Sequence, residues 1–421
     1  DGVSTAVVLS AADADGSHNL TWRFPFAART TLEKVPLQVT MPSDDWVPGY
    51  AGAANCGQIY AAVGYPTVIY VHGITSDRTS VMALAHTLAS RCIATVAIDL
   101  PLHGVPANSA FVRALNVEHA ANNLFGTLYG ADAPRERHFN VAGPGGSPAP
   151  MNFNAPSAHD GSGAQFINLA HLPVTRDHNR QAVVDLLNLS ASLGNIDLEM
   201  RRTLNTGLDV NRVYVVGASL GGIVGSVFTT VNQLAMASDA AHGLTSPLHP
   251  IRGFVASGAG TQVSQILARS ATFSPTINQG LAGLGVLPGS SAYERFFYTA
   301  QSALDSADPV NFMEGLATLS VPVLLQQVNG DLVVPNAADE APLAGTAAMA
   351  RLLNPTALRL GATQLGRGYV RHTAGGHSSL LRPEGDAPQV TAEMQAQVVT
   401  FVLNNGNVSV GLAAPTNIQV P

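Results

Sequence analysis

The sequence predicts an α/β protein, a mostly parallel central sheet with helices on both faces and two cap-like insertions. Three observations point there. Residues 67–71, 93–98, 212–216, 253–257 and 321–327 are apolar runs of strand length, as found in strands buried on both sheet faces. Residues 79–90 and the stretch following Ser219 carry helical spacing between such runs. A glycine-flanked serine, Gly217-Ala218-Ser219-Leu220-Gly221, stands where one run passes into a helix.

Taken in order, residues 1–60 mix short alternating stretches such as Leu37-Gln38-Val39-Thr40-Met41 with Gly, Asn and Pro turns, which predicts antiparallel edge strands packed on or extending the core. At Pro66 the texture changes. The buried run 67–71 ends at His72-Gly73, a helix over 79–90 faces Met82, Leu84, Ala85 and Leu88 inward, and the run 93–98 ends at Asp99. Strand, helix and strand make a right-handed parallel unit. An insertion of about 105–175 follows, Gly/Pro/Asn-rich in its middle, and is expected at the carboxyl edge of the sheet, where loops carry function.

A helix over about 176–200 presents Ala182, Leu186, Leu189 and Leu193 on one face, widened by Val183 and Leu187. Its opening, Arg176-Asp177-His178-Asn179-Arg180, places an aspartate near a helix start, and its arginines are expected to tie the insertion to the core. The helix after Ser219 extends to about Met236. Strand 253–257, a second insertion 261–318, strand 321–327, a short strand 368–371 and an amphipathic helix 392–403 complete the chain. The organisation is therefore amino-terminal strands 1–60, a main domain 61–405 and a tail 406–421.

Composition narrows the function. The chain has 421 residues, 46% hydrophobic and only 12% charged, with net charge -7. That supplies a sizeable core, excludes a basic nucleic-acid-binding surface and suits a neutral or weakly polar substrate. Cys56 and Cys92 either pair in a disulfide, if the chain is exported, or leave Cys92 as a plain core residue. No apolar run has transmembrane length, and the start at Asp1 reads as a processed or truncated chain.

A strand that reverses into a helix within a few residues strains the serine between them and leaves room only for small neighbours. Gly217 and Gly221 supply that room, so Ser219 is a candidate nucleophile. A serine hydroxyl needs an imidazole base oriented by a carboxylate. Asp331 follows the strand 321–327, and His377 follows 368–371 behind Gly375-Gly376. His372 is a rival nearer the strand, and Glu314 and Asp339 are rival acids. The N–H of Leu220 at the helix start and that of Ile74, in His72-Gly73-Ile74-Thr75, are expected to receive an oxyanion, with His72 bracing its own loop.

The order Ser219, Asp331, His377 with strands between them, together with His72-Gly73, resembles the α/β-hydrolases over about residues 60–405. A narrower resemblance, to bacterial extracellular and surface lipases and lysophospholipases of the virulence-factor type, rests on three segments. These are His72-Gly73-Ile74-Thr75, Asp99-Leu100-Pro101-Leu102-His103-Gly104, and Arg176-Asp177-His178-Asn179-Arg180-Gln181 followed by Asp185-Leu186-Leu187. The resemblance implies a serine nucleophile at 219, an acid at 331 and a base at 377, lipolytic activity, an extracellular or cell-surface location, and relatives that cleave aliphatic polyesters.

On this reading the partner is an ester substrate, lipidic or polymeric, and neither metal nor organic cofactor is called for. Thr75, His103, Phe111 and Ile266 are candidate substrate contacts. Phe111, Leu115, Leu124 and Phe125 are expected to form one apolar wall, and Ile266, Phe273, Leu281 and Leu284 another. The alternatives are a lysophospholipase, a broad carboxylesterase without interfacial behaviour, and a non-catalytic scaffold that binds a lipid or a protein.

Overall fold

The computed structural model describes residues 33–43, 56–60, 62–106, 112–119, 135–137, 139–140, 149–150, 162–358, 361 and 366–419. Its sheet strands are β1 (Leu37–Thr40), β2 (Tyr65–Val71), β3 (Ala94–Ile98), β6 (Leu208–Ala218), β7 (Ile251–Ser257), β8 (Val323–Val328), β9 (Thr356–Ala357) and β10 (Arg367–His372). A separate pair, β4 (Phe139–Asn140) and β5 (Ala149–Pro150), lies in the first insertion. Among the described residues eight strands form one sheet in the order β1-β3-β2-β6-β7-β8-β10-β9. Every pairing is parallel except β1 with β3, where Leu37 opposes Ile98 and Thr40 opposes Thr95. This mostly parallel sheet with helices on both faces is the α/β-hydrolase architecture.

The apolar runs are continuous because both faces are covered, and alternate residues enter different cores. Ile69, Val71, Val213, Val215, Phe254 and Leu325 face one layer. That layer holds α3 (Leu172–Leu204), α4 (Leu220–Ala241), α5 (Val263–Arg269), α8 (Met313–Thr318) and α9 (Thr346–Leu353). Val68, Tyr70, Tyr214, Val216, Val255 and Leu324 face the other, covered by α2 (Met82–Ala89) and α10 (Pro388–Leu403). Val408, Val410, Ala414 and Ile418 continue this second core, so the segment after α10 packs on the sheet. Glu393 holds that segment, accepting hydrogen bonds from the backbone N–H groups of Gly411, Ala413 and Ala414.

Contrary to the expectation that no apolar run has transmembrane length, helix α4 is long and apolar enough to cross a membrane, and 67% of its apolar window is buried in the fold. Between α5 and α8, α6 (Ser274–Ala282) and α7 (Ser291–Leu304) enclose a small core of their own from Ala268, Leu281, Tyr293 and Phe297.

Two further expectations are corrected here. Met82, expected inward, is 40% exposed, and Val81 takes the inward place. The reason is a tight 3-10 turn, Arg78–Val81, capped by Asp77, which accepts the Thr79 N–H and advances the phase of the helix face. Arg176 pairs with its neighbour Asp177 rather than with the core. The tie between the first insertion and α3 is made by Arg137, which lies 2.8 Å from Asp185 and also pairs with Glu33 and donates to the Asp99 carbonyl.

Cys56 and Cys92 form a disulfide with a Cα separation of 5.2 Å and a sequence separation of 36. It anchors α1 (Cys56–Tyr60), which leads into β2, to the turn entering β3. Closing a loop of that length restricts the unfolded chain, so replacing both cysteines by serine is expected to cost about 3 kcal/mol. A urea titration of the double variant reads this as a lowered midpoint with a steeper slope, because the unfolded chain without its cross-link exposes more surface.

Candidate active site

The turn at Ser219 is built by close backbone approach. Ser219 has φ 56 and ψ -123, between the end of β6 and the start of α4, and its N–H donates to the Ser257 carbonyl at 2.8 Å. A Cβ at Gly217 would lie 2.2 Å from the Gly221 oxygen, and one at Gly221 would lie 1.9 Å from the Val71 oxygen. No other residue fits either position. The Ser219 carbonyl accepts the Gly222 and Ile223 N–H groups, which leaves the Leu220 N–H at the open end of a long helix.

Gly73 borders the serine. A Cβ there would meet Ser219 Cβ at 3.2 Å and Oγ at 3.7 Å. The next peptide is oriented by His72, which is fully buried. Its Nε2 accepts the Leu100 N–H at 3.0 Å, so Nδ1 carries the proton and donates to the Gly73 carbonyl at 2.8 Å. Because the Gly73 carbonyl and the Ile74 N–H share one planar amide, gripping the oxygen aims the N–H. Thr75 follows in the left-handed region, exposed, with its hydroxyl donating to the Ile74 carbonyl.

The candidate acid and base meet. Asp331 Oδ2 lies 2.7 Å from His377 Nδ1, and Oδ1 accepts the N–H groups of Val333 and Val334 at 2.8 and 3.1 Å. The Asp331 side chain is 2% exposed, so its negative charge faces the imidazole with little water between them. The loop is braced by Asn336, which accepts the Gly330 N–H and donates to the Val328 carbonyl. Glu314 and Asp339 are both exposed, and His372 is fully buried on the α10 side of β10.

Gly258 connects the two halves of the site. It follows Ser257, the partner of Ser219, and a Cβ on it would stand 3.1 Å from His377 Nδ1 and 3.2 Å from Cε1. The imidazole therefore lies over Gly258. Its Nε2 is buried and has no hydrogen-bond partner among the described residues, so no bond links it to Ser219 in this structure. A glycine directly after a strand was the only sequence trace of this role, and Asn336 left none.

The predicted substrate contacts divide. His103 is fully buried, its Nδ1 donating to the Pro101 carbonyl and its ring against His72 and Phe166, so it braces the loop. Phe111, Leu124 and Phe125 lie outside the described residues. Ile266 is buried in the main core and Phe273 packs beside it, whereas Leu281 belongs to the small α6–α7 core. Leu284 is exposed, so the second set does not assemble as one continuous wall, and Leu115, the one described member of the first set, is exposed as well. A cavity beside the disulfide, lined by Thr40, Met41, Met82 and Ala85 among others, is not bordered by Ser219, Asp331 or His377.

Burial pushes His72 down to about 4, His103 to about 3 and His372 to about 4. The folded chain keeps these rings neutral, while the unfolded chain binds protons on them from about pH 6.5 downward. The stability they represent is complete above about pH 6.5 and drains away as pH falls towards 4. Asp77, pushed up to about 6 by burial, opposes them, because there the folded chain takes the proton first. Urea midpoints are therefore expected to fall steadily between pH 6.5 and 4, and a flat profile would contradict three neutral buried rings.

No protein-family model and no curated protein sequence matches this chain. Among solved structures, it is similar to a lipase in its open form, at 13% identity and a TM-score of 0.42, covering 88% of this chain and 94% of that one. It is similar to a monoacylglycerol lipase of Paleococcus ferrophilus at 12% identity and a TM-score of 0.37, covering 88% and 99%. The ferulic-acid-bound Est1E of Butyrivibrio proteoclasticus matches at 13% identity and a TM-score of 0.38, covering 88% and 95%.

Proposed function

We propose that this protein is a serine carboxylesterase or lipase that hydrolyses carboxylic esters with apolar acyl parts through an acyl-enzyme. The observation that carries the reading is the Asp331–His377 hydrogen bond, on a ring seated over Gly258, next to the residue that receives the Ser219 N–H. In this mechanism His377 Nε2 takes the Ser219 proton as Oγ attacks the ester carbonyl, and the Leu220 and Ile74 N–H groups hold the oxyanion. Asp331 keeps Nδ1 protonated and stabilises the imidazolium. The ring then protonates the leaving alcohol, and afterwards activates the water that releases the acid.

The low charge content of the chain supports a neutral ester over a nucleotide or other charged substrate, and aliphatic polyesters fall within that range. The disulfide supports an extracellular or cell-surface location. The proposed organisation is amino-terminal strands 1–60, a catalytic domain 61–405 with its two insertions, and the tail 406–421. The test is p-nitrophenyl ester turnover across acyl lengths, with Ser219→Ala as control. Undiminished hydrolysis by that variant rejects the assignment, and no turnover by the parent at any acyl length favours a binding scaffold. Emulsified triglyceride, lysophospholipid and polyester film, each compared with soluble short esters, then separate lipase, lysophospholipase and simple esterase.

A further inference from the structure

The segment that carries His377 is held from one side by a carboxylate that the proposed chemistry does not use. Glu384 lies between β10 and α10. Its Oε2 accepts the N–H of Ser378, the residue after the histidine, at 2.8 Å. Its side chain also covers Gly376, the residue before it, so closely that a Cβ there would lie 2.5 Å from Oε2 and 3.3 Å from Cδ. Glu384 thus spans both chain neighbours of the imidazole.

The other carboxylate oxygen is turned away, accepting from Arg382 Nε and Nη2 at 3.1 and 3.0 Å. With the carboxylate 23% exposed and the arginine 71% exposed, that outer pair contributes little by itself and serves to fix the orientation of Glu384. The peptide joining His377 to Ser378 is consequently held through its N–H on Glu384, with its carbonyl close to Gly258, 3.4 Å from where a Cβ would stand. Ser379 completes the turn, with its Oγ accepting the Gly376 N–H at 2.8 Å.

A charge-assisted bond to a backbone N–H is among the stronger hydrogen bonds, and here it sets the plane of the peptide from which the imidazole projects. Asp331 fixes the ring at Nδ1 but leaves its Cα free to shift. We propose that Glu384 is a positioning residue for His377. Its acceptor oxygen holds the 377–378 peptide so that Nε2 faces Ser219, and it touches neither substrate nor reacting atoms. This rests on the serine-esterase reading above.

The test compares Glu384→Gln, which keeps an acceptor of the same reach, with Glu384→Met, which keeps the length and removes it. With a soluble p-nitrophenyl ester, Glu384→Met is expected to lower kcat about tenfold with KM held within about twofold, because the loss falls on alignment rather than on substrate binding. Labelling of Ser219 by a fluorophosphonate slows in the same proportion. Glu384→Gln stays within about threefold of the parent in both readouts.

Unchanged kcat in both variants, or an equal fall in both, overturns the proposal. Should Glu384→Met not fold, Glu384→Asp, one methylene short of the Ser378 N–H, carries the same expectation. Ser219→Ala and His377→Ala measured alongside separate the two levels. If both abolish turnover while Glu384→Met is fully active, positioning by Glu384 fails and the esterase reading stands. If Ser219→Ala keeps its turnover, the esterase reading fails and the positioning role with it.

Discussion

Replacing Ser219 by alanine is expected to lower kcat for ester hydrolysis by about five orders of magnitude, with KM nearly unchanged and the fold intact. In the proposed mechanism the hydroxyl supplies the bond-forming atom, and the residual rate is what the proposed oxyanion donors and substrate binding provide without it. His377→Ala is expected to cost about as much, and the double variant no more than either single change, because the two groups act as one unit. Asp331→Asn lowers turnover less severely but by at least about a thousandfold, since an amide fails to hold the imidazole tautomer. A single-turnover experiment with a p-nitrophenyl ester separates acylation from deacylation, and both steps should slow. An Asp331→Asn protein with parental turnover would send the search to Asp339 or Glu314, although both side chains are exposed.

Arg78→Met is expected to be strongly destabilising, at about 4 kcal/mol. The guanidinium is buried between two carboxylates. Its Nη1 bonds both Asp99 and Glu136, and its Nη2 bonds Glu136 Oε1 at 2.7 Å and the Leu115 carbonyl at 2.9 Å. Glu136 in turn accepts the Val105 and Val117 N–H groups at 3.0 and 2.8 Å, so one ion cluster gathers three separate stretches of the first insertion.

Removing the arginine strands two carboxylates without water, which costs far more than the net contribution of the intact cluster. Arg78→Lys is expected to recover only part of the loss, because a single ammonium replaces a planar fork that reaches three acceptors at once. Chemical denaturation measures both. Asp99 Oδ1 also accepts the Arg78 N–H, 2.7 Å away, and thereby fastens the loop that leads from His72 through Ile74. Turnover of the surviving folded fraction is therefore expected to fall as well, which an active-site titration distinguishes from simple loss of folded protein.

Much of the core was legible in the amino-acid order because strands buried on both faces need unbroken apolar runs, and β2, β3, β6, β7 and β8 were each marked by one. The Ser219 turn was legible for a steric reason. Residues 217 and 221 lie against backbone oxygens, and only glycine leaves those contacts open. The meeting of His377 with Asp331 was legible because each follows a strand that delivers it to the same sheet edge.

The pocket walls were not, since apolar composition does not say which leucine packs inward. Leu281 closes a small helical core, yet Leu284, only three residues later, is 79% exposed. Nor was the Arg78–Glu136 contact, 58 residues apart, written in any local pattern. Local sequence thus determined the periodicity, the tight turn and the chemical types at the strand ends, because these depend on neighbours along the chain. Which distant carboxylate meets which cation, which backbone N–H the Glu384 carboxylate reaches and whether the two cysteines pair were settled in three dimensions, because each depends on contacts that exist only once the sheet has closed over its helices.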